Sequence, residues 1–239
     1  MKKPGPLLFI DILTLFPRML EAPLSEGLLG KARERGLVQI QIHDLRAWVE
    51  DPRKRVDDRP FGGGAGMVLR AEPIHRALKS LGVGRRLRKP WVIYLSPQGK
   101  QLSQPLARSL LKKKRIVLLC GHYEGVDERI MDWVDQEVSI GDVVLMGGEI
   151  PAMALTEAVA RLVPGVVGDP ESILHDSFSE SSLDYPCYTR PRLWKGRPVP
   201  DVLLSGNHRS IEQWRQKTAQ EVTRLKRRDL LTSRKTVPK

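Results

Sequence analysis

The chain has 239 residues and carries 40 Lys and Arg against 28 Asp and Glu, a formal net charge of +12 at pH 7. Its hydrophobic residues, 41% of the total, are enough for a core and exclude a globally disordered chain. The basic surplus indicates a nucleic-acid or anionic-membrane partner rather than a merely soluble basic surface. Its uneven distribution along the chain favours nucleic acid.

The two cysteines, Cys120 and Cys187, form no CxxC pair. This excludes a zinc site built on thiolates and argues against a disulfide framework. It fits a reducing cytosol, so a cytoplasmic location is expected. The apolar run near the N-terminus contains Asp11 and lacks a small-residue cleavage site, so no signal peptide is expected. No apolar run approaches the roughly 18 residues of a transmembrane helix, and no membrane association is expected.

Hydrophobic periodicity predicts alternating strands and helices over the first two thirds of the chain. In chain order the predicted elements are a strand at 7–16, a helix through 24–32, a strand at 38–42, a loop at 50–66, a helix at 73–81, a strand at 91–95, a helix at 103–114, a strand at 116–120, a helix at 126–134, a strand at 137–140 and a helix at 151–162. This alternation predicts an α/β domain with a parallel sheet covered by helices.

The character of the chain changes after Gly168. Residues 168–182 are polar and turn-prone, which predicts a flexible linker. Beyond them the chain is rich in Pro, Arg and Trp, and a basic helix is predicted at about 208–231. The predicted domains are therefore 1–167, the linker 168–182, and a small basic helical domain at 183–239. Two further basic clusters lie at 53–59 and 85–89, and Trp194 and Trp214 are candidates for base stacking or for core packing.

Three glycine-bearing loops follow predicted strands, at 96–99, 121–125 and 140–148. Ligands of α/β proteins bind outside the carboxyl ends of the strands, and glycine lets a backbone approach a ligand closely. Each loop alone is as consistent with an ordinary turn, but three together favour one small-molecule pocket. The glycine run at 62–66 lacks a Gly-Lys-Ser/Thr ending, and GxGxxG is absent, which argues against nucleoside-triphosphate and nicotinamide sites.

The acids near these loops are candidate ligands, helix caps or solvated charges, and their spacing singles out none of them. Asp176 differs, because it lies in the polar linker beside His175, where a mobile loop can deliver a base to a substrate. From composition alone, an N-cap or Asx-turn is the better interpretation of Asp176. The loop acids are Glu124, Asp127, Glu128, Asp142 and Glu149.

Ordered motifs over nearly the whole chain give the sequence a close resemblance to bacterial tRNA (guanine-N1)-methyltransferases of the TrmD type, in the SPOUT superfamily. One such motif is Cys-Gly-His-Tyr-Glu-Gly-Val-Asp-Glu-Arg at 120–129. The others lie at 12–17, 56–67, 94–99, 139–142, 147–152, 161–165, 176–178, 183–186, 188–191 and 200–208, with Ile211. The resemblance implies a SPOUT-type parallel sheet with a deep trefoil knot and helices on both faces, an exception to the usual chain topology.

The resemblance also implies that the three loops hold S-adenosylmethionine. The residues it assigns to the cofactor are Tyr94, Leu95, Ser96, Pro97, Gln98, Gly121, Tyr123, Glu124, Ile140, Gly141, Asp142, Val143, Val144, Leu145, Gly147, Gly148 and Pro151. This sequence departs from the common family pattern at Val143, where a large residue such as Tyr is usual, and at Met146, where Thr or Ser is usual. The pocket wall is expected to differ there, while backbone contacts are retained.

The implied reaction is methyl transfer to N1 of guanosine 37 in tRNA, beside the anticodon and preceded by another guanosine. Asp176 matches the family's catalytic base and Arg161 its electrostatic partner, and they are expected to meet across the interface of a homodimer. The family is also described as needing Mg²⁺, for which no ligand is assigned and Glu124 is a candidate participant. Two alternatives stay open at this point: a related knotted enzyme acting on ribosomal RNA, and a catalytically silent RNA-binding scaffold.

Overall fold

The computed structural model describes residues 6–84, 89–169, 171–174, 176–179 and 182–232. Most of the predicted basic cluster at 85–89, and His175 in the linker, lie outside these residues. The chain divides into two compact units, Met1–Gly168 and Asp169–Lys239.

The first unit is built on a five-stranded parallel sheet, as the alternation of elements predicts. The strands of this sheet are β1 (Leu8–Thr14), β2 (Val38–Asp44), β5 (Trp91–Gln101), β6 (Arg115–Cys120) and β7 (Gln136–Ser139). Between β2 and β5, the two-residue strands β3 (Asp57–Asp58) and β4 (Val68–Leu69) form a separate antiparallel pair. The spatial order is β2-β1-β6-β5-β7. β1 and β6 are nearly continuous apolar runs because both faces of the central strands are covered.

Helices cover both faces of this sheet, which confirms that part of the predicted fold. They are α1 (Arg18–Glu21), α2 (Gly27–Glu34), α3 (Ala71–Ser80), α4 (Gln104–Leu111) and α5 (Glu149–Ala160), with 3₁₀ turns at Pro23–Ser25, Leu45–Trp48 and Glu128–Trp133. One core contains the apolar sides of α2, α4 and α5, and the other contains α3 with the second and third 3₁₀ turns. Each fully buried Leu or Ile contributes about 1.5–3 kcal/mol to these cores.

Two predicted elements of the first unit differ from the structure in type or by more than three residues in their bounds. β5 continues to Gln101, and Leu95 and Lys100 both lie opposite Val138, so residues 96–99 form a bulge within the strand instead of a turn after it. The helix predicted at 126–134 is a 3₁₀ turn that begins at Glu128. Val126 is extended, because it bridges Leu69 on the neighbouring segment.

The second unit is mostly helical and exposed. It contains α6 (Glu171–Leu174), a hairpin of β8 (Leu193–Trp194) and β9 (Arg197–Pro198), α7 (Asp201–Leu204), α8 (His208–Lys226) and α9 (Asp229–Thr232). The long predicted basic helix is confirmed as α8 but ends at Lys226, and Asn207 caps its start by accepting from the N–H of Ser210. The predicted linker contains α6, so its described part is not wholly irregular. None of the described helices is both long and apolar enough to span a membrane.

Candidate functional site

A cavity of about 380 Å³ opens at the carboxyl ends of β5, β6 and β7. The bulge at 96–99, the loop at 121–125 and the segment at 140–148 form its walls. Its volume is within the ordinary range of small-molecule sites. The three loops chosen from the sequence therefore lie around one space, at the edge of the sheet where an α/β protein binds ligands.

The structure brings together all the residues that the resemblance assigns to the cofactor except Gly141 and Asp142, which do not line the cavity. Glu128 and Met131 do line the cavity, and both belong to the 3₁₀ turn that was predicted to be an α-helix. Glu137 and Val138 line it from β7, and no sequence pattern marked both of these neighbouring residues. His122, Gly125 and Met146 also line the cavity; they belong to the loops chosen from the sequence but were not assigned to the cofactor, whereas Val126 and Ser139 were missed.

The glycines of these loops are needed mainly because the loops pack closely on one another. A Cβ at Gly148 would lie 2.7 Å from Cα of Cys120, and one at Gly99 would lie 2.4 Å from the backbone nitrogen of Val138. A Cβ at Gly121 would lie 2.9 Å from the hydroxyl of Tyr94. The nearest neighbours of Gly148 and Gly99 are backbone atoms, and that of Gly121 is the Tyr94 side chain. These glycines therefore allow the segments around the cavity to pack closely on one another.

Backbone hydrogen bonds then hold the loops in place. The N–H of Gly148 donates to the carbonyl of Gly121 at 2.9 Å, and that of Glu124 donates to the carbonyl of Met67 at 3.1 Å. The second bond ties the 121–125 loop to the residue that follows the glycine-rich segment at 62–66, and Gly66 itself lies close to the Glu124 side chain. These contacts hold the segments around the cavity against one another.

The cavity is acidic although the whole chain is strongly basic. Glu124, Glu128 and Glu137 line it, and none of the described residues around it is Lys or Arg. Burial raises the pKa of the Tyr94 hydroxyl, and the negative charges of Glu137 and Glu128 raise it further, while a backbone hydrogen bond at Val126 opposes the rise. A cavity with this charge suits a ligand that carries positive charge and disfavours a polyphosphate.

The two predicted catalytic residues belong to different units. Arg161 follows the last turn of α5, is partly buried, and its N–H donates to the carbonyl of Glu157. Asp176 is in the second unit, where it lines a cavity of about 850 Å³ together with Tyr185, Arg215 and other residues of that unit. Within the described parts of the chain, no three His, Cys, Asp or Glu side chains are grouped to hold a metal ion.

Comparison with known proteins gives a consistent result over nearly the full length. Residues 8–233 match the family model described as tRNA (Guanine-1)-methyltransferase TrmD. A tRNA (guanine-N(1)-)-methyltransferase of Endomicrobium trichonymphae is 50% identical over 229 residues, 93% of this chain and 98% of that protein. One from Dictyoglomus turgidum is 51% identical over 225 residues, 94% and 90% of the two chains, and one from Paenarthrobacter aurescens is 46% identical over 227 residues, 93% and 85%.

Proposed function

The chain belongs to the tRNA (guanine-1)-methyltransferase family, and on that premise we propose that it transfers a methyl group from S-adenosylmethionine to N1 of guanosine 37 in tRNA, giving 1-methylguanosine. The observation that carries the proposal is the family match across residues 8–233, which includes both units. The preceding base, at position 36, is proposed to be guanosine as well.

The residues around the first cavity fit S-adenosylmethionine. When bound, this cofactor supplies a methyl group activated on a positively charged sulfur. The acidic lining supports binding of such a cation, and the loop backbones and apolar side chains such as Leu145 and Met131 provide contacts for an uncharged ring. Gly141 and Asp142 are assigned to the cofactor by the family pattern alone. The trefoil knot around these loops is likewise part of the proposal.

Guanine N1 carries a proton and is a poor nucleophile at neutral pH. Asp176 is proposed to accept this proton, which leaves negative charge spread toward O6 of the base. Arg161 is proposed to stabilise that charge with its guanidinium group as it develops. The remaining contribution of the protein is to hold the deprotonated N1 in line with the methyl group, since proximity and orientation supply much of the rate enhancement in such transfers.

A homodimer with its active site at the interface is part of the same proposal. Support comes from exposed apolar side chains on the segment at 140–148 that forms one wall of the cavity, where Val144 is 87% exposed and Met146 is 95% exposed, and from Ile150 at the start of α5. Exposed apolar residues this close together mark a surface that a partner covers. Size-exclusion chromatography with light scattering should give twice the chain mass, and a monomer would remove this part of the proposal.

The second unit is proposed to bind the tRNA backbone. Residues 183–239 hold fourteen Lys and Arg against five Asp and Glu, so about three quarters of the net charge of +12 lies in this last quarter of the chain. Basic side chains on an exposed helix neutralise phosphates. No three His, Cys, Asp or Glu side chains are grouped to hold a metal ion within the described residues, so the proposed Mg²⁺ is given no ligands and no step of the reaction is assigned to it.

A methyl-transfer assay on tRNA transcripts tests the proposal. The substrate carries guanosine at positions 36 and 37, and the matched control carries adenosine at position 37. Mass spectrometry of the digested product should show 1-methylguanosine in the first transcript and no methylation in the second. Methylation of ribosomal RNA fragments without methylation of the tRNA would favour an enzyme that acts on ribosomal RNA. Inactivity on both RNAs would favour an RNA-binding scaffold without catalytic activity.

A further inference from the structure

A chain of buried hydrogen bonds lies beside the cofactor cavity and was not anticipated from the sequence. Glu149, the first residue of α5, is only 1% exposed, and its two carboxylate oxygens have different partners. The hydroxyl of Thr14, at the end of β1, donates to Oε1 at 2.5 Å, and Nε2 of His122 lies 2.8 Å from Oε2. The N–H of Phe16 donates to the Thr14 oxygen at 2.8 Å, which leaves the hydroxyl hydrogen for Glu149.

His122 links this chain of bonds to the cavity wall. It lines the cavity, its ring packs against Phe16 with 4.7 Å between centroids, and its backbone bridges Gly147. A Cβ at Gly147 would lie 2.1 Å from Nε2 of His122 and 2.6 Å from Oε2 of Glu149. Glycine at 147 is therefore what lets the imidazole and the carboxylate meet.

The network joins three segments that are distant in the sequence: the end of β1, the loop after β6 and the start of α5. Burying a carboxylate is unfavourable unless its oxygens are hydrogen-bonded, and an apolar side chain would fill the same space without that penalty. A packing role alone therefore gives no reason for an acid at this position. A role in holding the cavity loops does, because a side chain with two hydrogen-bonding atoms can bridge Thr14 and His122, which an apolar side chain cannot do.

We propose that Glu149 is a positioning residue for methyl transfer, which holds His122 and the 121–125 loop in the cofactor-binding shape before the cofactor arrives. The inference rests on the proposed use of S-adenosylmethionine. A loop that is already ordered spends no binding free energy on becoming ordered. Loss of the network should therefore lower the affinity of the protein for the cofactor. Glu149 itself does not line the cavity, so its proposed action is through His122.

Calorimetric titration of the purified full-length protein with S-adenosylmethionine tests this. Glu149→Ala should weaken cofactor binding by roughly tenfold, the lower end of the loss seen at metal sites when the partner that orients a ligand is removed. Glu149→Gln should retain most of the affinity, because its amide offers an oxygen to Thr14 and an N–H to an unprotonated Nε2 of His122. The Michaelis constant for tRNA should stay unchanged in both variants.

Leu155→Ala is the matched control, because Leu155 lies on the same helix and is fully buried in the core. It should lower the melting temperature without changing the cofactor Kd. If Glu149→Ala lowers only the melting temperature in the same way, the residue is structural and the inference is wrong. If Glu149→Ala does not fold, Thr14→Val is measured in its place, because it removes only the hydroxyl that donates to Glu149. An unchanged cofactor Kd in Thr14→Val overturns the inference, and a Kd several-fold higher supports it. A wild-type protein that binds no S-adenosylmethionine overturns the proposed function, and the inference with it.

Discussion

The cavity at the carboxyl ends of the strands of the first unit is held by backbone hydrogen bonds and close glycine contacts, whereas the second unit exposes most of its longest helix. Around the cavity, the N–H of Gly148 donates to the carbonyl of Gly121. A Cβ at either glycine would come within 3.0 Å of a neighbouring atom. In α8, nineteen residues long, Thr223 is the buried residue, and its hydroxyl accepts from the N–H of Leu183. One region is defined by its shape and the other mainly by its charge.

This difference matches what each region is proposed to bind. A small cofactor has few groups to recognise, so its site must be preformed to a fraction of an ångström. A tRNA offers many phosphates, and an exposed basic surface binds them without a precise fit. Substitutions should therefore act through geometry in the first unit and through charge or proton transfer in the second.

The largest effect is expected at Asp176. Asp176→Asn keeps the size of the side chain and removes the proposed base, so single-turnover methyl transfer should slow by about 10²–10⁴-fold. Cofactor affinity measured by calorimetry should not change. Glu221→Gln is the control, because Glu221 lines the same cavity of the second unit and its loss should alter the rate by less than about twofold. A full rate in Asp176→Asn means that the base is assigned wrongly.

The two cysteines, one in each unit, should differ strongly in reactivity. Cys120 is fully buried at the end of β6, and burial together with the charge of Glu149 raises the pKa of its thiol, while Cys187 is exposed. A chromogenic disulfide reagent should label Cys187 quickly and Cys120 at least about a hundredfold more slowly, since labelling of Cys120 requires local unfolding. Cys187→Ser should leave no fast phase. Equal rates would show that the first unit opens readily.

Gly148→Ala should destabilise the first unit by about 1–3 kcal/mol, because the new methyl group meets backbone atoms that cannot move independently. Residue 148 has a φ of −81°, so alanine is acceptable in conformation and the effect is steric. Gly168→Ala is the matched control, since nothing lies within 4 Å of the position that its Cβ would take. Chemical denaturation measures both. Equal stability of the two variants would argue against tight packing of the loops.

The smallest effect is expected from a single basic residue of the second unit. Arg228 is exposed after α8, and Arg228→Gln should reduce the slope of log affinity for tRNA against log salt concentration by roughly 0.7–0.9, the value for one phosphate contact. Cofactor affinity should depend little on salt in either protein. Filter binding at several salt concentrations measures the slope. An unchanged slope means that Arg228 does not contact a phosphate.

Much of the first unit follows from local pattern. The strands β1 and β6 are predictable because a strand covered on both faces must be apolar throughout, and α4 because Ser103 caps it and Pro105 fits its first turn. The bulge at 96–99 was not predictable, since Ser-Pro-Gln-Gly has the composition of a turn and only the pairing with β7 keeps it within a strand. The 3₁₀ turn at Glu128–Trp133 was missed for a similar reason, because Val126 is extended by its bridge to Leu69.

By itself the sequence determined the α/β class of the first unit, the loops that surround the cavity and the basic character of the C-terminal quarter, because periodicity, glycine and charge are local properties. Only the tertiary structure decided that Glu128 and Glu137 make this cavity acidic, and that Thr14, His122 and Glu149 share buried hydrogen bonds. Thr14 and Glu149 are 135 positions apart. A contact of that span depends on how the strands are ordered in the sheet, and no local pattern records it.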